Sequence, residues 1–414
     1  IGIRVDGGRA MGLDTSRVTG GVALALGPRP AFGAGRSIDR LDLDAYFPVA
    51  AGGGGGQGSS ADAAGDVAAD DVVAGVAQLL DTFDANLDLR VGRLTYRGRD
   101  LGDLRLDGTL QAGVLTLRDL LIGDFAEGTL RLSGVFHDLA GPTPRVDDGR
   151  LSVSVPEPAR LARLLDLNAE SPLSRLEGLQ LDSRLAGSLA AFTFDGNLVA
   201  LGGEIAAAGS VSGLPAAFAL GDGRVEARGV SGQRLAAVIG LPADSPVARL
   251  GTLGLDGRLS GDLDAVQVDG TLRALEGVFS ARGQIAAPTG EAPSVYLTVG
   301  GEHPDAAALT RSLLGESAVN PGAGALTLTG KLTGTPAHLS LADLDGRIGP
   351  TVLRGTLALD SSGPRPKLTA QLSGGDLPLD LFVGSGGGGG AGAPDARWSR
   401  QPFDSAPLRA LDAE

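Results

Sequence analysis

Apolar and polar residues alternate with a period of two along most of the chain. Clear runs are Leu87–Val91, Leu151–Val155, Val295–Val299 and Leu326–Leu328. Such alternation places apolar side chains on one face of a strand and polar side chains on the other. The pattern therefore predicts a mostly β protein whose strands each have one half-buried face.

Asp-Gly pairs recur between or beside these runs, and Asp-Gly between alternating segments is a strong hairpin signal. We therefore expect hairpin turns at five of them: Asp107–Gly108, Asp195–Gly196, Asp222–Gly223, Asp269–Gly270 and Asp345–Gly346. Asp256–Gly257 differs, because the alternation of Leu255 and Leu259 continues straight through it. A glycine inside a strand is an equal alternative at that pair.

The sequence repeats itself at an offset of 74 residues. The segments Ser171–Leu179, Leu181–Leu189 and Phe192–Leu198 recur as Ser245–Leu253, Leu255–Leu263 and Val266–Leu272. A third copy follows at an offset near 73, where Leu326–Pro336 matches Leu253–Leu263. Matches held at one offset indicate a single supersecondary unit that is used several times and stacks on its neighbours.

Each repeat also contains one short segment with helical spacing of its apolar residues. These segments are Glu157–Leu165, Gly232–Ile239 and Pro304–Leu314, and Pro158 suits the first turn of a helix. Each unit then reads as a strand, a short helix and then about four strands. The predicted fold is mostly β: an elongated, curved antiparallel repeat sheet with one short helix per unit.

The repeats and two glycine-rich segments divide the chain, and we interpret the glycine runs as disordered loops. The expected divisions are 1–50 (end of a preceding unit), 51–71 (glycine-rich loop), 72–149 (helix plus unit), 150–222, 223–293 and 294–366 (repeat units), 367–383 (start of a further unit), 384–397 (glycine-rich loop) and 398–414 (start of a further, truncated block).

Composition narrows the possible functions. Hydrophobic residues make up 43% of the chain and aromatic residues only 4%, so the apolar surface is mostly aliphatic. The net charge of −14 argues against nucleic-acid binding, which needs clustered Lys and Arg. The absence of cysteine excludes disulfides and thiolate sites.

The residues give little support for catalysis. His137, His303 and His338 are isolated, with no second ligand at metal spacing. The recurring aspartates stand beside glycine, where turn chemistry explains them. We therefore expect a protein that is not an enzyme, with no catalytic, metal or cofactor-binding residues.

Several segments resemble the AsmA family in the region after its membrane anchor. They are Leu87–Tyr96 running into Leu101–Leu117, the glycine-containing Asp124–Gly134, and the closing segment from Trp398 to Asp412. The likeness covers nearly the whole chain and consists of the order and spacing of leucine and glycine patterns.

The resemblance implies a repeating β-groove, a curved sheet with an apolar concave face. It also implies a periplasmic protein held at the inner membrane of a Gram-negative bacterium by an anchor outside this chain. The implied role is to pass phospholipid toward the outer membrane, or to support outer-membrane assembly without conducting lipid. The expected partners are phospholipid acyl chains, the inner membrane, and proteins of the inner or outer membrane.

Physical reasoning reaches a similar expectation, because a sheet must hide its apolar face against a second sheet, by closing on itself, or around an apolar ligand. The short helices have too few apolar residues to cover every strand. Candidate groove-lining residues are Leu181, Leu185, Phe192, Phe194, Leu198, Leu255, Leu259, Val266, Val268, Leu272, Leu326, Leu328 and Leu332. An ordinary β-sandwich core remains an equal reading for any one of them, and an extracellular β-solenoid adhesin is a third, less favoured class.

Overall fold

A computed structural model of the chain describes residues 2–5, 11–13, 16–25, 28–42, 82–96, 98–139, 141, 143–164, 167–168, 171–188, 190–214, 217–288, 293–314, 324–363, 367–374 and 412–413. The chain divides into two compact units. Unit 1 contains residues 1–200 and 207–217, and unit 2 contains residues 201–206 and 218–414.

Most described residues lie in strands. Unit 1 holds β1 (Gly2–Val5), β2 (Met11–Leu13), β3 (Ser16–Ala25), β4 (Ala31–Asp42), β5 (Asp84–Tyr96), β6 (Arg99–Gln111), β7 (Val114–Phe125), β8 (Gly128–His137), β9 (Arg145–Val155), β10 (Leu179–Ser188) and β11 (Ala191–Ala200). Strand β12 (Gly203–Ser212) contributes residues to both units. Unit 2 holds β13 (Ala219–Ser231), β14 (Thr252–Asp262), β15 (Ala265–Ala274), β16 (Gly277–Ala286), β17 (Ser294–His303), β18 (Leu326–Thr335), β19 (His338–Ile348), β20 (Thr351–Asp360), β21 (Lys367–Gly374) and β22 (Asp412–Ala413).

Strand pairing is antiparallel between sequence neighbours over most of both units. In unit 1, β5 to β11 pair in chain order, and β4 pairs with β5 in parallel. In unit 2, β13 to β21 also pair in chain order. Within each unit the sheet is curved and stays open. The predicted fold class, a mostly β, curved antiparallel sheet, is confirmed.

Three short helices recur with the repeat. They are α1 (Pro158–Leu164), α2 (Gly232–Ile239) and α3 (Ala306–Leu314), whose first residues are spaced by 74. Four strands separate each helix from the next, as predicted, and the strand predicted before each helix is the fourth strand of the repeat before it. Pro158 opens α1, where its missing N–H costs no hydrogen bond.

The repeat extends to the hydrogen bonds at the helix ends. The backbone N–H of Leu167 donates to the carbonyl of Ala162 over 2.9 Å, and 74 residues later the N–H of Leu241 donates to the carbonyl of Ala236 over 2.8 Å. Gly240 ends α2 with a φ of 80°, a conformation that glycine adopts without steric cost. The similar sequences therefore fold into the same local structure.

A short 3-10 turn follows each of the first two helices, at Pro172–Arg175 and Ala248–Leu250. The hydroxyl of Ser245 accepts a hydrogen bond from the N–H of Ala248 over 3.3 Å, so it caps the second turn. A hydroxyl at this position satisfies a backbone donor that the turn leaves open.

Arginine side chains close two of the helix C-termini. The Arg249 guanidinium donates to the carbonyl of Leu313 in α3 over 3.1 Å, and Arg99 donates to the carbonyl of Arg163 in α1. The C-terminus of a helix carries partial negative charge, which a cation stabilises. Arg249 thereby joins the turn after α2 to the end of α3.

His303 is a buried structural residue at the end of β17, with 5% of its surface exposed. Its Nε2 donates to the carbonyl of Leu275 over 2.6 Å, and its Nδ1 accepts from the N–H of Asp305 over 3.0 Å. Both ring nitrogens are satisfied, so His303 fastens the start of α3 to the β15–β16 turn.

The helices pack against one margin of the apolar face. In unit 1, Leu161 of α1 clusters with Val153 and Val155. In unit 2, Leu235 of α2 packs against a cluster that includes Leu253. Burial of a leucine side chain contributes about 1.5–3 kcal/mol, so these contacts fix each helix on the sheet.

The expected hairpin turns at Asp-Gly pairs are wrong, because all five pairs lie inside strands: β6, β11, β13, β15 and β19. The alternative reading of Asp256–Gly257 as part of a strand is correct, since that pair lies in β14. The tight turns instead use other residues with positive φ, such as Leu275 and Glu276 with φ of 52° and 67°. The strands are longer than the alternating runs indicate.

Aspartates with positive φ mark irregularities in the ladders. Asp222 (φ 48°) lies where the β13–β14 register shifts, and Asp343 (φ 51°) lies at the shift between β19 and β20. Aspartate tolerates this conformation better than most residues. An extra residue in one strand bends it and increases its twist, which favours a curved sheet.

Asp84 anchors the start of β5. Its carboxylate accepts from the N–H of Ala112 over 2.9 Å and from the Arg29 guanidinium over 2.6 Å. The Ala112 hydrogen bond first, and then Arg29, hold the pKa of Asp84 below its ordinary value. These contacts hold the start of β5 next to the residues that precede β4 and next to the β6–β7 turn.

Some predictions fall outside the described residues. These are the helix expected after the first glycine run, both glycine-rich segments, and nearly all of the block from residue 398 onward. The boundaries drawn between repeat units stay predictions.

Candidate functional site

The five candidate groove residues of unit 1 lie on one face of the β10–β11 pair. Leu181 lies opposite Leu198, Leu185 lies opposite Phe194, and Phe192 lies opposite a glycine. Residues directly opposite each other in an antiparallel pair share a face. The structure therefore brings these candidates together.

The eight candidates of unit 2 also share one face. They fall into rows that run across the strands, perpendicular to the chain direction. The pairs Leu255–Leu272 and Leu259–Val268 belong to two of these rows, and Val266 lies opposite Gly261 in another. On β18, Leu326, Leu328 and Leu332 continue three of the rows on the same face.

Two aliphatic rows form ridges along the apolar face of unit 2. The first ridge contains Leu255, Leu272, Phe279, Leu328 and Leu353, and the second contains Leu259, Val268, Leu297, Leu332, Leu341 and Leu357. Glycines interrupt both rows, Gly301 and Gly346 in the first and Gly283 in the second. A row of smaller residues lies between them: Val225, Gly257, Gly270, Ala281, Val299 and Gly330. We call this row the trough. Its glycines leave room between the leucine ridges.

The trough contains the glycines of two Asp-Gly pairs. In Asp256–Gly257 and Asp269–Gly270, strand alternation places each glycine on the apolar face and each aspartate on the opposite, polar face. Asp269 there forms an ion pair with Arg282, with 2.8 Å between the charged atoms. Within each dipeptide, the glycine leaves space on the apolar face and the aspartate places a solvated charge on the polar face.

Exposure differs between the two faces. All thirteen candidates are half-buried, whereas the neighbouring polar-face residues Arg258, Ser260 and Gln267 are exposed. Apolar side chains on neighbouring strands shield one another, which accounts for the half-burial of this face. Within the described residues, this half-burial shows that no second layer seals the candidates.

Protein covers only part of the apolar face. The cluster around α2 includes the first ridge of unit 2 through Leu255, Leu272 and Phe279. The second ridge, with Leu259 and Val268, lies outside that cluster. Among the described residues, the helices therefore cover one margin of the face, and the second ridge lies outside the cluster that they form.

The described residues of each unit line a cavity. In unit 1 a cavity of about 530 Å³ is lined in part by Leu24, Phe32 and Leu110. In unit 2 a cavity of about 450 Å³ is lined in part by Leu253 and Leu255. Both volumes fall in the range of about 300–1,000 Å³ that small-molecule sites occupy.

Unit 1 carries a ladder of leucines that the sequence reasoning missed. Leu89, Leu106, Leu120, Leu132 and Leu151 lie opposite one another on five consecutive strands, β5 to β9. The sequence shows that these leucines lie on the apolar side of their own strands. It does not show the register between strands, which aligns the leucines into one row. We call this row the leucine ladder.

Other site chemistry is sparse in the part of the chain that the structure describes. It contains no group of histidine and acidic side chains able to hold a metal ion. None of its helices has the length and apolar character needed to span a membrane. His137 and His338 lie beside Asp147 and Asp360, at 3.1 and 3.3 Å.

The geometry is that of an open aliphatic surface with a central trough, flanked by short helices. Compared with protein-family models, with curated proteins and with solved structures, the chain matches none of them.

Proposed function

We propose that this protein is a non-enzymatic lipid carrier whose apolar face binds phospholipid acyl chains. The observation that carries the proposal is an aliphatic face that continues over the strands of each unit and remains half exposed. A soluble protein rarely leaves so large an apolar surface in water without a ligand or partner.

The dimensions suit acyl chains. The nine strands β13 to β21 span about 38 Å at about 4.8 Å per strand. One leaflet of a bilayer is about 15 Å thick, half of a hydrocarbon core of about 30 Å. The face of unit 2 therefore exceeds the length of a single tail, and a tail gains about 0.8 kcal/mol for each methylene that leaves water.

The chemistry of the face favours movement over selective capture. Apart from three interrupting glycines, the ridges consist of leucine and valine with one phenylalanine, so the side chains along the face offer a tail similar contacts. Similar contacts mean similar binding free energies, and a tail can move along the trough without a deep minimum. The polar head group remains at the open side, in solvent.

The resemblance to the AsmA family extends the proposal to its setting. We propose that the protein acts in the periplasm of a Gram-negative bacterium, is held at the inner membrane by an anchor outside this chain, and passes phospholipid toward the outer membrane. Its partners would be proteins of the inner membrane or of the outer membrane.

A scaffold for outer-membrane assembly is the second candidate. The packed clusters beneath α1 and α2 favour it, because there protein side chains already fill part of the apolar face. A scaffold would carry no lipid in the trough.

Co-purifying lipid tests the two candidates. Leu259→Asp with Val268→Asp places two carboxylates on the second ridge, and Ser260→Asp with Gln267→Asp places two on the polar face of the same strands. Mass spectrometry of detergent-free protein should find phospholipid in the wild type and the second variant but not in the first. Circular dichroism checks that both fold. Phospholipid retained by a folded ridge variant would refute the carrier and leave the scaffold.

A further inference from the structure

The polar face of unit 2, opposite the trough, carries one row of side chains without charge. The row crosses six consecutive strands, β14 to β19, and each member lies directly opposite the next. Its members are Ser260, Gln267, Gln284, Tyr296, Thr333 and Ser340. We call them the neutral row. Five steps of about 4.8 Å between strands give it a length of about 24 Å.

The adjacent row on the same face is charged. Its members are Arg258, Asp269, Arg282, Thr298 and Lys331. Asp269 pairs with Arg282 at 2.8 Å, so part of this charge is compensated within the row. Lys331 is compensated by Asp343, also at 2.8 Å. A molecule that lies along the neutral row therefore contacts uncharged groups there, and hydrogen bonding rather than ion pairing would recognise it.

The neutral row offers hydrogen-bonding groups that the protein itself does not use. Within the part of the chain that the structure describes, none of its six side chains makes a hydrogen bond to another protein group. A hydroxyl group can donate and accept, and a glutamine amide has donors and an acceptor. Sugar hydroxyl groups also donate and accept, so a ligand covered with them matches this set.

Tyr296 adds an apolar surface near the middle of the neutral row. It is 57% exposed, whereas Gln284 and Thr333, which lie opposite it on the two neighbouring strands, are half-buried. A tyrosine ring provides a rigid apolar surface with a polar tip. The C–H groups on one face of a sugar ring can pack on such a surface while the hydroxyl groups at its edge reach the neighbouring side chains.

Other kinds of ligand fit the neutral row less well. Nucleic acid needs clustered Lys and Arg for its phosphates, and the row contains neither. A stable protein interface buries about 800 Å² on each partner around an apolar centre, and the row has one aromatic and no aliphatic side chain. A single small molecule would contact only part of its length. The row is therefore best matched by a linear, uncharged chain of hydroxyl-bearing units.

We propose that the neutral row binds a linear, uncharged polysaccharide, with one sugar ring packed on Tyr296 and neighbouring sugars hydrogen-bonded to the flanking hydroxyl and amide groups. The site lies on the face opposite the trough, so it does not depend on the proposed lipid function. Binding would anchor unit 2 to a glycan while its apolar face stays available.

Isothermal titration calorimetry of the full 414-residue chain tests the site. The probes are cellohexaose and chitohexaose, which are linear and uncharged, their monosaccharides, and hexagalacturonate, which has the same number of sugars and is anionic. Tyr296→Ala removes the ring, and Gln267→Ala with Gln284→Ala removes two amides. Thr298→Ala is the matched control, because Thr298 lies on the same strand and face as Tyr296 but in the charged row.

The wild type should bind at least one uncharged hexasaccharide at least about tenfold more tightly than its monosaccharide, because only the longer probe reaches several members of the row. Tyr296→Ala and the double glutamine variant should each weaken that binding at least about fivefold. Thr298→Ala should not change it, and neither should Gly257→Leu, which fills the trough on the other face. Circular dichroism checks that each variant folds.

Four results would overturn the proposal. They are no binding of either uncharged hexasaccharide, tighter binding of hexagalacturonate than of both, equal losses in Thr298→Ala and Tyr296→Ala, and a dimer in size-exclusion chromatography that Tyr296→Ala dissociates. The last result would assign the row to a contact between protein chains. Hexasaccharide binding by protein that carries no phospholipid would support this site while the lipid carrier fails.

Discussion

Filling the trough is the sharpest perturbation that the fold permits. A Cβ built on Gly257 would meet its nearest atom, the carbonyl oxygen of Asp269, at 3.5 Å, an ordinary contact, and the glycine has no positive φ. Gly257→Leu should therefore fold. Relief of glycine's conformational entropy favours the folded state by roughly 0.5–1 kcal/mol.

The added side chain would stand between the two ridges, where an acyl chain is expected. If it displaces roughly three or four methylenes from contact, at about 0.8 kcal/mol each, the loss is about 2–3 kcal/mol. That loss corresponds to an affinity lower by about 30- to 140-fold. Binding of a labelled fatty acyl probe to purified protein, followed by fluorescence, measures the change.

Gly254 provides the matched control. It lies three residues earlier on β14, on the polar face opposite Arg273, and a Cβ there would find its nearest neighbour at 3.7 Å. Gly254→Leu adds the same side chain to the same strand without entering the trough. Equal acyl binding by Gly257→Leu and Gly254→Leu, with both folded, would refute the view that tails lie in the trough.

Three further predictions concern stability, each measured by urea unfolding. Ser245→Ala removes the cap of a 3-10 turn and should cost about 1 kcal/mol, whereas Ser260→Ala on the exposed face should cost nearly nothing; equal effects would refute the cap's role. His303→Ala leaves the Leu275 carbonyl and the Asp305 N–H without their partners and should cost about 1–3 kcal/mol. A loss below about 0.5 kcal/mol would show that the ring is dispensable. Asp84 has a lowered pKa in the folded protein, so its stabilising contribution is present above the unfolded value and lost as the pH falls through the folded one. Asp84→Asn should therefore flatten the acid side of the stability–pH curve, and an unchanged acid limb would contradict this assignment.

The repeat made much of the fold predictable. In the sequence, Arg160 and Arg234 occupy matching positions in two helical segments that lie 74 residues apart. Four strands follow each of these helices. Period-two alternation also identified the apolar face correctly, since parity within a strand is a local property. The residues expected to share a face do share it in each unit.

Register and turn positions were less accessible, because they depend on pairing between strands. Asp-Gly locally favours a hairpin turn, yet Asp269–Gly270 lies inside a strand. There the glycine occupies the trough, where a small residue is needed, and the aspartate forms an ion pair on the polar face. The leucine ladder depends on the register of the antiparallel pairs from β5 to β9, which alternation within each strand cannot reveal.

The contact of Arg249 with the end of α3 gives successive modules an order of dependence. The turn that follows α2 supplies the cation that caps α3, so loss of the second module leaves the last carbonyls of α3 without this donor. A repeat array built in this way tolerates the gain or loss of complete units better than a truncation inside a unit. Such a truncation leaves a helix with unpaired carbonyls, which makes it more susceptible to proteolysis.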